Sequence, residues 1–265
     1  MNSFKLNYID LFLNPIKICK RYKPKMGGGN SGKGYSLDEF LSLYQQDSFY
    51  SWIGLDSAMM YAAHKAAGGM TSIYRQIGVG CENIFRQVII DFAEYEDVSL
   101  ATWKYETMTK SGNNKILKLD GRLEVNKIKN PEKLGKLKNW ITEYCESISA
   151  KVPTSGIVFE VRQGYKSKDS KRQNADIDNV SVAWANGYLP VFAIFSNQID
   201  IDLILRYRNN RAGILTGTLA NDNKISLFAF SQQILDFDMI DFFKFNSSRI
   251  RNEINTVLET LLSAK

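Results

Sequence analysis

The spacing of apolar positions changes period along the chain, and the changes mark its elements. Ser36 with Glu39 forms a capping box that opens a helix over 37–46. The Ala-rich run 56–67 predicts a second helix, closed by Gly68-Gly69. In 71–94, TSIYRQIGVGCENIFRQVIIDFAE, Ile73, Ile77, Cys81, Ile84, Phe85 and Val88 keep helical spacing, interrupted by Glu82 and Gln87. The period then falls to two in 100–109 and 115–125, which Ser111 to Asn114 join as a hairpin. Leu117 and Leu119 share one face of the second strand and Lys118 and Asp120 the other, with Gly121 marking a bend. Pro131 starts a helix to about Ser149, and a strand follows from Gly156. A helix over 176–186 and the strand 188–196 come next, then mixed signals over 200–230 and an amphipathic helix over 247–263. This alternation predicts an α/β (mixed α+β) fold, a central mixed β-sheet flanked by helices, with a helical N-terminal region. We read residues 1–35 as a basic, Gly-rich segment and 36–265 as one domain with its core at about 71–230.

Composition narrows the chemistry more than the fold. The 265 residues are enough for one substantial core, and 44% apolar with 23% charged residues is ordinary for a globular chain. No apolar run approaches the about 20 residues of a membrane helix, and the first 25 residues lack the order of a signal peptide. Cys19, Cys81 and Cys145 are far apart, which predicts neither disulfides nor a zinc knuckle. The expected setting is the cytoplasm. The single histidine, His64, argues against paired-histidine nucleases and multi-histidine zinc sites, so metal chemistry must rest on carboxylates, which suits Mg²⁺. The net charge of +6 favours a polyanionic partner. Lys17, Lys20, Arg21, Lys23, Lys25 and Lys33 fall in 11–34 with no acid among them. Gly27 to Lys33 fits most of a phosphate-binding loop but lacks its Ser/Thr, so a flexible basic linker is expected and a nucleotide cofactor is not.

The stretch GIVFEVRQGYKSKDSKRQNAD, Gly156 to Asp176, carries the densest chemistry. Strand alternation puts Glu160 and Arg162 on one face of an otherwise apolar strand, where charges are costly without partners. A local salt bridge on an exposed sheet face would give the same pattern. The strand runs into a loop with Lys166, Lys168, Lys171 and Arg172, suited to neutralising phosphates. Gln173 and Asn174 have the donor–acceptor pairs that read a base edge, adenine most naturally; capping a helix that starts near Asp176 would use them equally well.

From about Tyr74 to Ser196, the strings SIYRQIGVGCE, LDGR and FEVRQGYKSKDSKRQNADI resemble the ApaLI-like type II restriction endonucleases of the PD-(D/E)xK nuclease superfamily. The resemblance covers roughly half the chain. It implies a restriction-endonuclease-like core ordered helix, hairpin, strand, helix, strand. It also implies a prokaryotic, homodimeric enzyme that cuts double-stranded DNA at a short palindrome using Mg²⁺. On this reading Asp120 and Glu160 hold the metal, Arg162 is the catalytic cation and Glu82 holds a metal-bound water. Lys166, Lys168, Lys171, Arg172, Gln173, Asn174, Lys23, Lys25 and Lys33 face DNA. Two features depart from the superfamily. Arg162 stands where lysine is usual and cannot accept a proton, leaving Lys166 or Lys168 to supply an ammonium, Lys168 being counted with the catalytic set. The spacing from Asp120 to Glu160 is also lengthened by the intervening helix.

Overall fold

The computed structural model describes residues 2–26, 33–108, 114–165 and 170–263. The chain divides into two compact units, one of Met1–Gly80 with Lys244–Lys265, the other of Cys81–Phe243.

The first unit is helical. Helix α1 (Asn2–Lys17) buries Tyr8, Ile9, Phe12, Leu13 and Ile16, an apolar stripe at helical spacing. This helix lies within residues 1–35, where a basic, Gly-rich segment is expected. Pro15 disfavours a helix, because it lacks the N–H that would bond the carbonyl four residues earlier, but only that bond is lost near the helix end and the buried stripe outweighs it. Helix α2 (Leu37–Gln45) has the predicted capping box: Ser36 Oγ accepts from the Glu39 N–H and Glu39 Oε2 from the Ser36 N–H. Helix α3 (Ser48–Trp52) is capped by Asp47. Helix α4 then runs unbroken over Ala58–Ala93, so the two helices expected at 56–67 and 71–94 are one. Gly68 and Gly69 do not end it. They admit close neighbours, since a Cβ at Gly68 would lie 1.8 Å from the Tyr22 hydroxyl and one at Gly69 2.6 Å from Leu261. Helix packing therefore outweighs the cost of about 1 kcal/mol per helical glycine. His64 is half-buried beside Phe40, its Nε2 3.5 Å from the Tyr44 hydroxyl.

The second unit holds the sheet. Strands β1 (Trp103–Met108) and β2 (Asn114–Leu119) form an antiparallel ribbon, with Trp103 opposite Leu119. Residues Ser111 to Asn113 of the predicted turn lie outside the described residues. The strand expected over 115–125 is divided at Asp120: β2 stays in the ribbon, while β3 (Gly121–Glu124) joins a second sheet. Helix α5 (Pro131–Ser147) follows, capped by Asn130; of the stripe its sequence predicts, Leu134, Leu137, Ile141, Tyr144 and Cys145, the last four are buried and Leu134 is partly so. Strand β4 (Gly156–Arg162) pairs antiparallel with β3. Helix α6 (Ser170–Ala185) returns the chain to β5 (Tyr188–Ile194), which runs parallel to β4 and is buried throughout. Helix α6 starts ahead of the expected 176, so Gln173 and Asn174 lie within it and do not cap it. Helix α7 (Ile201–Asn209) leads to β6 (Gly213–Leu215), completing a mixed sheet of order β3-β4-β5-β6. Helix α8 (Leu227–Gln233) and the start of α9 (Met239–Leu262) close the unit; α9 begins eight residues before the expected 247. Phe159 of β4 packs edge-on against Phe85 of α4. All three cysteines are buried and free. No helix among the described residues is long and apolar enough to cross a membrane.

Candidate active site

Asp120 is fixed by the bend that separates β2 from β3. Its N–H donates to the Phe159 carbonyl at 3.0 Å and its Oδ2 accepts from the Val161 N–H at 2.9 Å, so the bend grips β4 on both sides of Glu160. Gly121 permits this approach. A Cβ there would meet Ile89 at 2.8 Å and Phe159 at 3.2 Å. On β4, Val158, Phe159 and Val161 are buried and hold the strand rigidly, while Glu160 and Arg162 share the face the alternation predicts.

The Arg162 guanidinium bonds Glu160 and stands 3.4 Å from Asp176 Oδ1 on α6. Asp176 is itself buried, its Oδ2 accepting from the Tyr165 hydroxyl at 2.8 Å and the Tyr207 hydroxyl at 2.6 Å. From α4, Arg86 donates to the Asp120 carbonyl at 3.1 Å, and Glu82 lies one helical turn earlier. Glu82, Asp120, Glu160 and Asp176 thus face Arg86 and Arg162, with exposed Lys118 as an outer cation. Four carboxylates against two guanidiniums leave an excess of negative charge. A partly buried site sheds such an excess by holding protons or a cation.

The carboxyls show this imbalance. Burial pushes Glu82 up to about 7, with Asp120 adding to the rise and Arg86 opposing it. Burial also pushes Glu160 up to about 8, helped by Asp120, Asp176 and Glu82 against the pull of Arg162. Asp120 is raised by burial, against its bond from Val161. A carboxyl raised on folding adds stability that is complete below its ordinary value of 4.5 and lost as pH climbs through the folded value. In EDTA, the unfolding midpoint should therefore fall from about pH 4.5 to about pH 8. Calorimetric melts across that range check this, and a midpoint that rises with pH would contradict it.

No known protein family, curated protein or solved structure matches this chain.

Among the described residues, no three His, Cys, Asp or Glu side chains are placed together to hold a metal ion, and one Glu160 oxygen is taken by Arg162. In charge and donor type, Asp120 and Glu160 nevertheless suit a hard divalent cation, which takes oxygen ligands. Of the residues expected to face DNA, Lys171 and Arg172 are exposed at the start of α6, with Arg172 lying 5.6 Å over the Tyr165 ring. The side-chain oxygens of Gln173 and Asn174 each accept from Arg206 at 2.6 Å, so reading a base with both groups of either amide requires Arg206 to let go. Lys23, Lys25 and Lys33 are exposed and belong to the first unit. Lys166 and Lys168 lie outside the described residues.

Sequence reasoning did not single out Arg86, Tyr165, Asp176 or Tyr207. One signal for Asp176 was present: it shares the helical stripe of Val180 and Ala183, where a carboxylate is out of place without partners.

Proposed function

We propose that the chain is a Mg²⁺-dependent endonuclease that cuts double-stranded DNA at a short palindromic sequence, acting as a homodimer. The observation that carries this reading is the nearness of Asp120 and Glu160, distant in sequence but brought together by the pairing of β3 with β4 within an acidic cluster. The element order is helix α4 with Glu82, the β1–β2 ribbon, β3, α5, β4, α6 and β5, which follows the order of the resemblance once β3 and the inserted helix α5 are set aside. Mg²⁺ held by Asp120 and Glu160 would polarise the scissile phosphate and lower the pKa of a bound water. Glu82, on the helix beside these carboxylates, would hold a metal-bound water. Arg162 stays protonated and acts on the phosphate by charge alone. Lys171 and Arg172 neutralise the flanking backbone, which makes binding salt-sensitive without adding sequence information.

One observation favours a second reading. The Glu160–Arg162 ion pair is what a non-catalytic DNA-binding protein would use to stabilise its sheet. Incubating the protein with mixed plasmid and phage DNA, with Mg²⁺ or with EDTA, separates the two. The nuclease gives discrete fragments only with Mg²⁺. Intact DNA under both conditions, with a salt-sensitive gel shift, overturns it in favour of the second.

A further inference from the structure

Arg162 has two seats. Its guanidinium bonds Glu160 on its own strand and lies 3.4 Å from Asp176 Oδ1 on α6, while its Nε meets no acceptor among the described residues. The seats differ in what surrounds them. Asp176 keeps 4% of its side-chain surface exposed and is braced by the hydroxyls of Tyr165 and Tyr207. Glu160 keeps 13% exposed and sits opposite Asp120, and its one close ion pair is with Arg162 itself. The Asp176 seat is therefore closed and rigid, and the Glu160 seat is the more open of the two. A guanidinium on Glu160 and a divalent cation shared by Glu160 and Asp120 would claim the same carboxylate.

We propose that Arg162 is a tethered counter-cation. It neutralises Glu160 until a divalent cation binds, then leaves Glu160 for Asp176, which Tyr165 and Tyr207 hold ready to receive it, and keeps its charge within reach of the phosphate. Asp176 is thereby a positioning residue that acts through Arg162. This rests on the proposed metal role of Asp120 and Glu160. It also gives a physical reason for arginine at this position. Both contacts are made by one nitrogen, Nη2, so a small swing changes its partner, and the guanidinium keeps its charge in a buried site where a lysine ammonium can lose its proton.

The test is calorimetric titration of Mn²⁺ alone into the full-length protein, without DNA. Wild type, Arg162→Met, Asp176→Asn and the double variant are compared, with the Mn²⁺-induced rise in melting temperature as a second readout. Arg162→Met removes the competitor, so Mn²⁺ affinity should rise about tenfold, or about 1.4 kcal/mol. The Mn²⁺-induced melting shift should be larger than in wild type, because the cation replaces a missing guanidinium. Asp176→Asn weakens the second seat, keeps Arg162 on Glu160 and should lower Mn²⁺ affinity. In the Arg162→Met background most of that loss should vanish, because the two residues act on one process. Mn²⁺ binding that is equal or weaker in Arg162→Met, or an Asp176→Asn effect undiminished in the double variant, overturns the two-seat proposal and leaves the metal site standing. Absence of Mn²⁺ binding by both wild type and Arg162→Met overturns the metal reading and this proposal with it.

Discussion

Glu160→Gln should abolish Mg²⁺-dependent cleavage and yet leave the protein at least as stable as wild type at pH 8 to 9. The loss of activity follows from taking an anionic oxygen from the proposed metal site. Removing one electrostatic element of a preorganised site costs about 10²–10³-fold in rate, and a metal ligand belongs at the upper end. The stability result has a different source. Glu160 is pushed up to about 8 by burial and by Asp120, Asp176 and Glu82, so above that pH its charge opposes folding. Glutamine keeps the shape and removes that charge, while Arg162 retains Asp176 as partner. Activity and melting temperature measured on the same preparation decide the matter. A variant that cuts DNA normally, or one that melts well below wild type at pH 9, would show that Glu160 serves the fold and not the chemistry.

How much of this was legible in the sequence depends on the range of the forces involved. The face shared by Glu160 and Arg162 follows from strand alternation, and the bend at Asp120 from the glycine after it; both are local and both are found. The Ser36 capping box and the α5 stripe were legible for the same reason. Helix α4 was misread because Gly68 and Gly69 are helix-ending residues by local propensity, and only the closeness of Tyr22 and Leu261 explains their presence inside a helix. Gln173 and Asn174 were read as base-reading amides or helix caps. The partner that engages them, Arg206, is on another helix and nothing in their own neighbourhood announces it. The site shows the same division. Its strand-borne charges are readable, while the residues that hold those charges in place come from α6, α7 and the loop after β4 and meet only in the folded unit.

Asp176 is where that hidden half of the site can be measured, and Asp176→Ala should be the most destabilising substitution within it. Two effects oppose each other. Removing the carboxylate relieves Glu160 of one repelling neighbour, which favours the variant. It also strips the acceptor from the Tyr165 and Tyr207 hydroxyls and leaves Arg162 with Glu160 alone. Arg162 keeps Glu160 as its partner and the Tyr207 hydroxyl keeps Tyr165 as an acceptor, so the cost is that of two hydrogen bonds to a charged acceptor, about 1.5–3 kcal/mol each. Relief of a repulsion that Arg162 already offsets is the smaller quantity, so the loss wins. Denaturant unfolding should give a deficit of about 3–6 kcal/mol. Tyr165→Phe and Tyr207→Phe, which each remove one hydrogen bond to Asp176 and the one between the two hydroxyls, should cost about 1–3 kcal/mol. Asp178→Ala, exposed on the same helix, should stay within about 0.5 kcal/mol of wild type. If Asp176→Ala unfolded no more readily than Asp178→Ala, the tyrosine-braced carboxylate would not be holding Arg162, and the site would have to be built from Glu160 and Asp120 without it.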